Sequence, residues 1–449
     1  MTSSNQAIME TSPVAAEVEL RFVQALFRRI FHRGLSALKD GQVIIQDGQA
    51  TRCFGDPHAP LRAHVRVHHP RFYRRSVLGG GLGVSESLLD GDWSCDDLTS
   101  LVRIFIRNLQ VSDRMDQGLA WMRRSLARLG HAVRRNSRAG AVRNIHQHYD
   151  LGNDFYRLFL DETMNYSCGL FEPGATTMYD ASVRKMDAIC RKLDLQKTDH
   201  VVEIGTGWGA LAIYAAENFG CRVTTTTISQ EQFDFAVERV QKAGLADQIT
   251  VLQRDYRDLR GQFDKLVSVE MIEAVGHEFF GTFFRKCSEL LRPEGMLLLQ
   301  SIVIKDQRYK DHLQSVDFIR KYIFPGGCLP SVSVLLQTMT HETDMRLLQM
   351  EDIASHYVQT LRCWRQAFHQ NLDQVFELGY SPSFVRMWDY YLCYCTAVFE
   401  ERQCNNVQML FAKPACRLDP RGFTSKNFDQ EVFSERSCAT SVPSDGASL

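Results

Sequence analysis

His200-Val-Val-Glu-Ile-Gly-Thr-Gly-Trp-Gly-Ala-Leu211 is the stretch that decides the fold of this 449-residue chain. Its first apolar residues predict a short buried strand, and a helical pattern follows the last glycine at once. Alternating glycines let the backbone turn tightly and approach a ligand where a Cβ atom would collide. The N-terminus of the following helix presents free N–H groups to a polar ligand. The stretch therefore predicts a strand–turn–helix unit, and the open alternatives are a ligand site and a tight turn that binds nothing.

The spacing of this turn narrows the choice of ligand. Glu203, Gly205, Gly207 and Gly209 form the pattern E-x-G-x-G-x-G. A glycine-rich turn alone serves a dinucleotide, a nucleotide or S-adenosylmethionine. The pattern here resembles the first motif of S-adenosylmethionine-dependent methyltransferases, so we expect S-adenosylmethionine as the cofactor.

The composition is that of a soluble globular protein with two or three domains, since 44% of the residues are hydrophobic and 23% are charged. The first residues are polar, whereas a signal peptide contains an apolar stretch. The sequence has no run of about 18 apolar residues, so no membrane span is predicted. The 13 cysteines form no repeated C-x-x-C pair. We therefore expect reduced thiols, no metal site and a cytoplasmic protein.

The net charge of −1 conceals an asymmetry along the chain. Residues 1–145 hold 21 Lys and Arg against 13 Asp and Glu, whereas the remainder has an excess of acidic residues. A basic first third indicates an anionic partner, and the two candidates are nucleic acid and an anionic lipid surface.

Patterning along the chain predicts a small N-terminal α+β domain and a larger α/β domain. The predicted parts are a disordered start at 1–13, a small α+β lipid-interacting domain at 14–118, a basic segment at 119–143, a catalytic domain at 144–416 and a disordered tail at 417–449. The basic segment contains Trp121–Arg143, with seven arginines and no acidic residue. It is either a solvated linker or an amphipathic helix on anionic phospholipid.

Within the first domain, a basic amphipathic helix is predicted from Ala16. Its apolar residues are expected on one face and are Leu20, Val23, Phe27, Ile30 and Phe31. Strands are predicted at 42–46 and 62–68, a turn at Gly79–Gly83 and a helix at 98–109.

Strand and helix patterns alternate after residue 144, which is typical of a parallel sheet with helical crossovers. Strands are predicted at 201–204, 222–228, 249–253, 265–269, 296–304 and 408–412. Helices are predicted at 210–218, 230–243 and 278–291. Residues 305–403 are mostly helical by pattern and are expected to form a cap over the carboxyl ends of the strands. The fold class is thus α/β, a Rossmann-like methyltransferase sheet with a helical cap insertion.

Several segments carry a broader resemblance. His148–Phe155 and Met164–Cys168 resemble the first conserved segments of cyclopropane fatty acid synthases, which are related to the mycolic acid cyclopropane synthases and methyltransferases. Further matches, in the same order and spacing as in the family, are 201–209, 227–232, 255–258, 263–276 and 322–330. Members of this family add the methyl carbon of S-adenosylmethionine across a cis double bond of an acyl chain still attached to phospholipid. The resemblance implies the same activity for this chain, on a membrane surface to which the enzyme binds peripherally. Whether the enzyme is a homodimer stays open.

The resemblance also implies a set of cofactor-binding residues. They are Tyr166, Ser167, Glu203, Gly205, Gly207, Gly209, Thr227, Ile228, Ser229, Gln232, Asp255 and Tyr256. The second strand ends without the acidic residue that holds the ribose in many nucleotide sites. Thr227, Ser229 and Gln232 are therefore expected to supply those hydrogen bonds. Asp255 and Tyr256 suit the adenine, although the ring of Tyr256 could equally pack in the core.

Attack of an alkene on a sulfonium methyl group leaves a carbocation, and ring closure needs a base. The resemblance implies that this base is a bicarbonate ion, which members of the family hold with a Cys, a Glu, a His, a backbone group and a Tyr. These positions fall on Cys168, Glu273, Gln300, Ile302 and Arg365. Gln300 donates hydrogen bonds but cannot share a proton, which separates it from the family histidine. Arg365, in place of the tyrosine, either clamps a planar anion or lies at the protein surface.

Other interpretations remain open for single residues of this set. Cys168 is either a ligand or a small buried residue, and Glu273 either a site residue or an exposed loop carboxylate. Cys395 matches a family cysteine and is either catalytic or packed in the cap. Cap aromatics could line a slot for the acyl chain and stabilise the cation; they are Phe318, Tyr322, Phe324, Tyr357, Trp364, Phe368, Trp388, Tyr390 and Tyr391.

The favoured function is cyclopropanation of unsaturated phospholipid acyl chains. The alternatives are a methyl-branched or methylene product from the same site, methylation of a soluble small molecule, and a lipid- or cofactor-binding protein without catalysis. Nucleic acid is not an expected partner, because the methyltransferase part is acidic and lacks the Asn/Asp-Pro-Pro-aromatic motif that holds a flipped base.

Overall fold

A computed structural model describes residues 13–109 and 151–417, with the side chains of residues 13–22 left out. The predictions for the start of the chain, the basic segment with Trp121–Arg143 and the tail after residue 417 lie outside these residues. The domain boundaries predicted there stay predictions.

The first domain is a four-stranded sheet packed against three helices. Its elements in chain order are α1 (Pro13–Leu35), β1 (Gln42–Asp47), β2 (Ala50–Gly55), β3 (Arg62–Val67), α2 (Arg71–Leu89), β4 (Trp93–Cys95) and α3 (Leu98–Arg107). The strand order is β2-β1-β3-β4, with β1 and β3 parallel and the other pairs antiparallel. The two predicted strands and the two predicted helices are confirmed, and β2 and β4 add to them.

The apolar residues of α1 fall on one face at helical spacing, as predicted, but only part of that face is buried. Phe31 is buried in the domain core, whereas Val23 and Ile30 are 38% and 42% exposed. Leu26, which is 47% exposed, lies on the same outward side. Because these three residues follow each other at helical spacing, α1 presents an apolar stripe to solvent as well as an apolar face to the core.

The glycine run 79–83 is not the predicted turn but part of α2. Gly80 bends this helix, with φ 55° and ψ −144°, a backbone conformation that residues with a Cβ atom rarely adopt. Gly83 lets the two halves of the helix approach closely, because a Cβ atom there would lie 2.0 Å from the carbonyl oxygen of Arg75. The helix therefore continues through a run that sequence patterns assign to a turn.

The second domain is a seven-stranded sheet in which five neighbouring strands are parallel. The strand order is β10-β11-β9-β8-β5-β6-β7. These strands are β5 (His200–Ile204), β6 (Arg222–Thr227), β7 (Ile249–Gln253), β8 (Phe263–Val269), β9 (Leu291–Ile304), β10 (Arg346–Asp352) and β11 (Cys404–Ala412). Val201, Val202 and Ile204 are each at most 2% exposed, as expected of a parallel strand with both faces covered. The six predicted strands are confirmed.

Helices cover both faces of this sheet. Those before and between the central strands are α4 (Asn153–Arg157), α5 (Met178–Lys192), α6 (Ala210–Phe219), α7 (Gln230–Lys242) and α8 (Phe280–Leu290). The cap contains α9 (Tyr309–Gln314), a π-helical turn at Ile319–Ile323, α10 (Val332–Glu342), α11 (Ala354–Gln370), α12 (Leu372–Glu377) and α13 (Pro382–Glu400). It also contains β10, which was not predicted and which pairs antiparallel with β11 at the sheet edge.

The two domains share one hydrophobic core, and polar contacts join them at its rim. The Arg103 guanidinium contacts Glu400 at 2.5 Å and Glu401 at 2.7 Å, which links α3 to α13. Arg386 donates to the carbonyl oxygen of Leu89, at the end of α2. Because Phe31 and Trp388 belong to the same buried cluster, the first domain packs directly on the cap.

Candidate functional site

A cavity of about 1210 Å³ opens at the carboxyl ends of β5, β6, β8 and β9. This is the edge at which open α/β sheets bind their ligands. The cap covers the cavity, and Leu82 and Ile106 of the first domain form part of its wall. The first domain, which is not part of this sheet, therefore completes the cavity.

The glycine turn forms the floor of one end of this cavity. Gly205, Gly207 and Gly209 have φ angles of 102°, 53° and 85°, in the left-handed region that favours glycine. A Cβ atom at Gly205 would lie 3.2 Å from the side chain of Met271. Gly205 and Gly207 both line the cavity, so the backbone itself is presented to a ligand.

Glu203 is buried beneath this turn and lines the cavity. Its Oε2 accepts a hydrogen bond of 2.6 Å from Thr225 Oγ1. Burial raises the pKa of Glu203 to about 8, because a charged carboxylate loses its hydration there.

Lys185 is a site residue that the motif analysis missed. A capping box of Thr177 and Asp180 begins α5, and the helix brings Lys185 to the cavity wall with 1% exposure. The ammonium donates to Asn165 Oδ1 at 3.0 Å and to Ser167 Oγ at 2.7 Å. Burial lowers the pKa of Lys185. A lysine between buried neighbours at helical spacing was the signal that could have found it.

The residues predicted for the ribose lie together at the end of β6. Thr227 Oγ1 donates to Gln232 Oε1 at 3.0 Å and accepts from the backbone N–H of Ser229 at 3.1 Å. Thr227, Ile228 and Gln232 line the cavity. Ser229 is buried, and its hydroxyl caps α7 instead.

The adenine end is formed by Asp255 and Tyr256. Both side chains line the cavity, but the Asp255 carboxylate is already bound by the Arg257 guanidinium at 2.8 and 2.6 Å. The hydroxyl of Tyr256 is buried and has no hydrogen-bond partner among the described residues. The ring of Tyr256 packs edge-on against Phe283, which agrees with its interpretation as a core residue.

This end of the cavity fits S-adenosylmethionine. A buried ammonium and a buried carboxyl group face the glycine turn, where a zwitterionic methionine part would lie. The polar side chains of Thr227 and Gln232 then follow toward the adenine end. When bound, the cofactor supplies a methyl group on a positively charged sulfur.

A second charged group lies deeper, at the ends of β8 and β9. Glu270 Oε1 accepts hydrogen bonds from the Cys168 backbone N–H at 3.1 Å, Gln300 Nε2 at 2.8 Å and Asn406 Nδ2 at 2.5 Å. Its Oε2 accepts from the Tyr357 hydroxyl at 2.7 Å. Glu270 lines the cavity, and motif matching did not select it, although two glutamates three residues apart at a strand end were a visible signal.

Glu273 lies beside it and also lines the cavity. Its Oε1 accepts from the Ile302 backbone N–H at 2.5 Å and from Ser301 Oγ at 2.9 Å, while the buried Oε2 has no partner in the described part of the chain. Burial first, and then the negative charge of Glu270, raise the pKa of Glu273 to about 8. The two carboxyl groups of one site thus have different environments.

The described residues do not fit a separate bicarbonate ion. The resemblance implies that Cys168, Gln300 and the Ile302 backbone hold the bicarbonate. In this structure the Cys168 backbone and Gln300 donate to Glu270 instead, and the Ile302 backbone donates to Glu273. These donors are already committed to carboxylates of the chain. We therefore derive no step through bicarbonate.

Arg365 lies away from the cavity. Its guanidinium binds Asp389 at 2.6 Å on a partly exposed side of the cap. The tyrosine that contacts the carboxylate pair is Tyr357, one of the predicted cap aromatics. The position of Arg365 favours its surface interpretation.

The two cysteines predicted at the site differ in orientation. The Cys168 thiol donates to the carbonyl oxygen of Gly169 at 3.3 Å and does not line the cavity; only its backbone N–H takes part. Cys395 lines the cavity, and burial raises its thiol pKa well above the ordinary value. Cys395 therefore stays protonated near neutral pH, and its catalytic role stays a prediction.

The remaining cavity wall is partly aromatic and partly charged, and its charged side chains are Glu86, Arg308, Asp311, Asp317, Arg320 and Lys321. Its aromatic side chains are Phe318, Phe324, Tyr357, Tyr390, Tyr391, Tyr394 and Phe399. Trp364, Phe368 and Trp388 pack in the core instead, as the alternative interpretation of the cap aromatics expected. The wall joins the carboxylate pair to Leu82 and Ile106.

Within residues 13–109 and 151–417, no group of three or more His, Cys, Asp or Glu side chains is arranged to hold a metal ion. Across the same residues, no helix is both long enough and apolar enough to cross a bilayer.

The sheet, the glycine turn and the paired polar ends of the cavity define the class: the protein is an S-adenosylmethionine-dependent methyltransferase. The sequence pattern of the family described as mycolic acid cyclopropane synthetase matches residues 136–409. The chain belongs to this family. It is therefore a one-carbon transferase that acts on lipid acyl chains.

Individual proteins give the same result. The chain is 37% identical over 366 residues to tuberculostearic acid methyltransferase UfaA1 of Mycobacterium tuberculosis, which covers 80% of this chain and 84% of that protein. It is 37% identical over 351 residues to cyclopropane-fatty-acyl-phospholipid synthase of Escherichia coli K12, covering 78% and 88%. The crystal structure of mycolic acid cyclopropane synthase CmaA1 complexed with SAH and CTAB is 29% identical, with a TM-score of 0.57, and covers 61% of this chain and 98% of that one.

Proposed function

We propose that this enzyme adds the methyl carbon of S-adenosylmethionine across a cis double bond in a phospholipid acyl chain and closes a cyclopropane ring. The observation that carries the proposal is one continuous cavity with three parts. A polar end fits the cofactor, a carboxylate pair lies in the middle, and an aromatic wall suits an acyl chain. The name of the E. coli relative supports the phospholipid substrate.

The residues of the chain would act mainly on the charge that develops. Tyr357 and Tyr391 both line the cavity, and aromatic rings can stabilise a nearby cation. The Glu270 carboxylate, which lines the cavity, adds negative charge close to where the cation would form. Glu270 therefore favours a positively charged intermediate over the neutral alkene.

A methyl-branched or methylene product is the second candidate. UfaA1 is named a methyltransferase of tuberculostearic acid and is as similar in sequence as the E. coli synthase. The same cation gives the ring when a proton leaves the added methyl group directly. It gives a methylene group when a hydride first moves from the methyl-bearing carbon to the cationic carbon and a methyl proton leaves afterwards, and a saturated methyl branch also needs a later reductant. Gln300, where the family pattern has a histidine, belongs to the polar network that would govern this step.

We also propose that the enzyme works as a peripheral protein on anionic phospholipid, on the cytoplasmic side of a membrane. The outward stripe of α1 supports this, because Val23, Leu26 and Ile30 are exposed next to Arg29 and Arg33. A helix with apolar residues beside arginines suits the interface of an anionic bilayer. The homodimer stays a prediction, which light scattering on the purified protein would test.

Mass spectrometry of membrane lipids tests the reaction, in cells that express the chain and receive methyl-labelled methionine. We expect one labelled carbon in monounsaturated acyl chains, gained as a methylene unit with the double bond lost. Labelled chains with extra hydrogen, or with an alkene retained, would instead establish the second candidate.

Absence of labelled lipid, from a folded protein that still binds the cofactor, would contradict both candidates. A soluble substrate or a non-catalytic protein would then remain. Purified enzyme assayed on liposomes and on free fatty acids separates these, since a soluble-substrate enzyme would not need the liposome.

A further inference from the structure

We propose that the carboxylate of Glu270 is the base of this reaction and occupies the place that the resemblance assigns to a bicarbonate ion. The inference rests on the proposed function, since it names the group that removes the proton after methyl transfer. The observation behind it is the direction of the hydrogen bonds. Donors from four separate segments of the chain converge on this one side chain.

The hydrogen-bond count leaves one oxygen of Glu270 able to accept a proton. Among the described residues, Oε1 accepts from Cys168, Gln300 and Asn406, whereas Oε2 accepts from the Tyr357 hydroxyl alone. A carboxylate oxygen has two lone pairs, so one on Oε2 stays available. The side chain is partly exposed within the cavity that its carboxylate lines. The geometry holds the group firmly and still leaves it accessible to a substrate.

The backbone at Glu270 is also specialised. Its φ angle is 48°, in the left-handed region that residues with a Cβ atom rarely occupy. The Glu270 N–H donates to the carbonyl oxygen of Gln300 at 2.8 Å, which fixes this conformation at the strand end. Unusual backbone conformations persist where the surrounding structure enforces them, often at functional sites. Here it directs the carboxylate toward its four donors.

The environments of Glu270 and Glu273 differ enough for the two carboxyl groups to have different roles. Burial and the Glu270 charge raise the pKa of Glu273 to about 8, so Glu273 is mostly protonated at neutral pH. Two nearby carboxyl groups avoid carrying two charges when one of them keeps its proton. Lys185 adds a positive charge that interacts with Glu270. Glu270 is the member of the pair whose hydrogen bonds suit an anion.

The proton and electron balance of the step is complete. The π electrons of the alkene form a bond to the methyl carbon, and the carbon–sulfur bond breaks with its electron pair left on sulfur. The second alkene carbon then carries the positive charge. Glu270 Oε2 takes a proton from the added methyl group, and the released C–H pair forms the third bond of the ring. The neutral Glu270 side chain afterwards loses this proton to solvent.

The first test uses the unaltered enzyme and needs no variant. Activity on unsaturated phospholipid vesicles is measured in buffer freed of carbon dioxide, with and without added sodium bicarbonate. We expect rates that agree within twofold, and no heat of binding when sodium bicarbonate is titrated calorimetrically. A rate that collapses without bicarbonate and recovers on its addition would overturn the proposal. An enzyme that labels no lipid under either condition would contradict the proposed function instead.

The second test removes the carboxylate. Glu270→Gln is expected to lower kcat at least 100-fold, in the range of losses typical for a general base, while the calorimetric Kd for S-adenosylmethionine changes less than threefold. Glu377→Gln, on an exposed part of α12, is the matched control and should keep wild-type kcat. Near-wild-type kcat in Glu270→Gln would refute the assignment.

A third variant keeps the test decisive if Glu270→Gln folds poorly. Glu270→Gly suits the left-handed backbone and frees the four donors. It should bind bicarbonate calorimetrically and regain at least tenfold in rate when bicarbonate is added. Wild-type enzyme should show neither effect. Full activity of Glu270→Gly without any added anion would contradict the proposal.

Discussion

At the scale of single residues, a buried ammonium and a buried carboxyl group define the cofactor end of the cavity. Lys185 and Glu203 both line the cavity beside the glycine turn, and each is at most 4% exposed. Burying an isolated charge is unfavourable, so such groups normally serve a partner. The ammonium and carboxylate of a bound methionine moiety would supply one for each.

Lys185→Met is expected to weaken S-adenosylmethionine binding by at least tenfold. The change removes the buried cation and the hydrogen bond that holds Ser167, while the volume is nearly kept. Isothermal titration calorimetry measures the Kd. Decarboxylated S-adenosylmethionine should bind both proteins alike, because it lacks the carboxylate that Lys185 would attract. Lys242→Met, on the exposed side of α7, is the control, and equal losses in both variants would contradict this role.

Glu203 predicts a pH dependence of stability. Its carboxyl group ionises near pH 4.5 in the unfolded chain and at about 8 in the folded protein. Between these values the folded state holds a proton that the unfolded state has lost, so the free energy of unfolding falls as pH rises. Glu203→Gln cannot ionise and should lose less stability between pH 5 and 8. Urea unfolding of the cofactor-free protein measures this, and equal slopes for both proteins would refute it.

At the scale of elements, the bend of α2 is where local pattern and structure differ most. Helix α2 passes through four glycines, two of which line the cavity. The conformation at Gly80 and the close approach at Gly83 allow the helix to continue around this wall. A run of glycines usually ends a helix, but here it shapes the path of α2.

Gly83→Ala should destabilise the protein by about 2 kcal/mol or more, because its Cβ atom would meet the Arg75 carbonyl oxygen at 2.0 Å, a backbone contact that cannot move cheaply. Gly81→Ala is the matched control, since no atom lies within 4 Å of a Cβ there. Alanine at that position should be neutral or stabilise by about 0.5 kcal/mol. Thermal unfolding of both variants decides, and equal effects would contradict the packing at Gly83.

At the scale of the whole molecule, the exposed stripe of α1 belongs to the same domain as Leu82 and Ile106, which form part of the cavity wall. Six large hydrophobic side chains are exposed among those described, and three of them are Val23, Leu26 and Ile30. A stripe of this kind beside arginines fits an anionic lipid surface.

The triple variant Val23→Ser, Leu26→Ser and Ile30→Ser should bind phosphatidylglycerol vesicles at least tenfold more weakly, because it loses apolar area that enters the interface. Phe376→Ser with Leu378→Ser removes side chains of similar exposure, 44% and 45%, elsewhere and should bind normally. Vesicle flotation measures binding, and detergent-dispersed substrate should be converted equally by all three proteins.

Two further measurements identify what the exposed stripe of α1 contacts. Fluorescence of Leu26→Trp should be quenched by brominated acyl chains, whereas that of Phe376→Trp should not. If the triple variant binds vesicles normally but changes from dimer to monomer in light scattering, the stripe contacts a second copy of the chain and the membrane proposal fails.

The sequence by itself determined the class of fold and most of the cofactor end. The run Val201–Ile204 and the glycines after it are local signals, because strand burial and left-handed φ angles restrict which residues can occupy those positions. The order and spacing of the motifs then predicted the family. Those predictions depend on residues close to one another in the chain, where pattern and geometry correspond directly.

Only the tertiary structure decided which polar groups meet. Glu270 lies 30 residues from Gln300 and 136 from Asn406, and neither spacing has a local signature. Motif matching selected Arg365, whereas packing of α11 brings Tyr357 to the carboxylate pair. The faces of α1 and the path of α2 were likewise settled by the neighbours against which they pack. A hydrogen bond between distant segments depends on how whole elements pack, and that packing is not written in any short stretch of sequence.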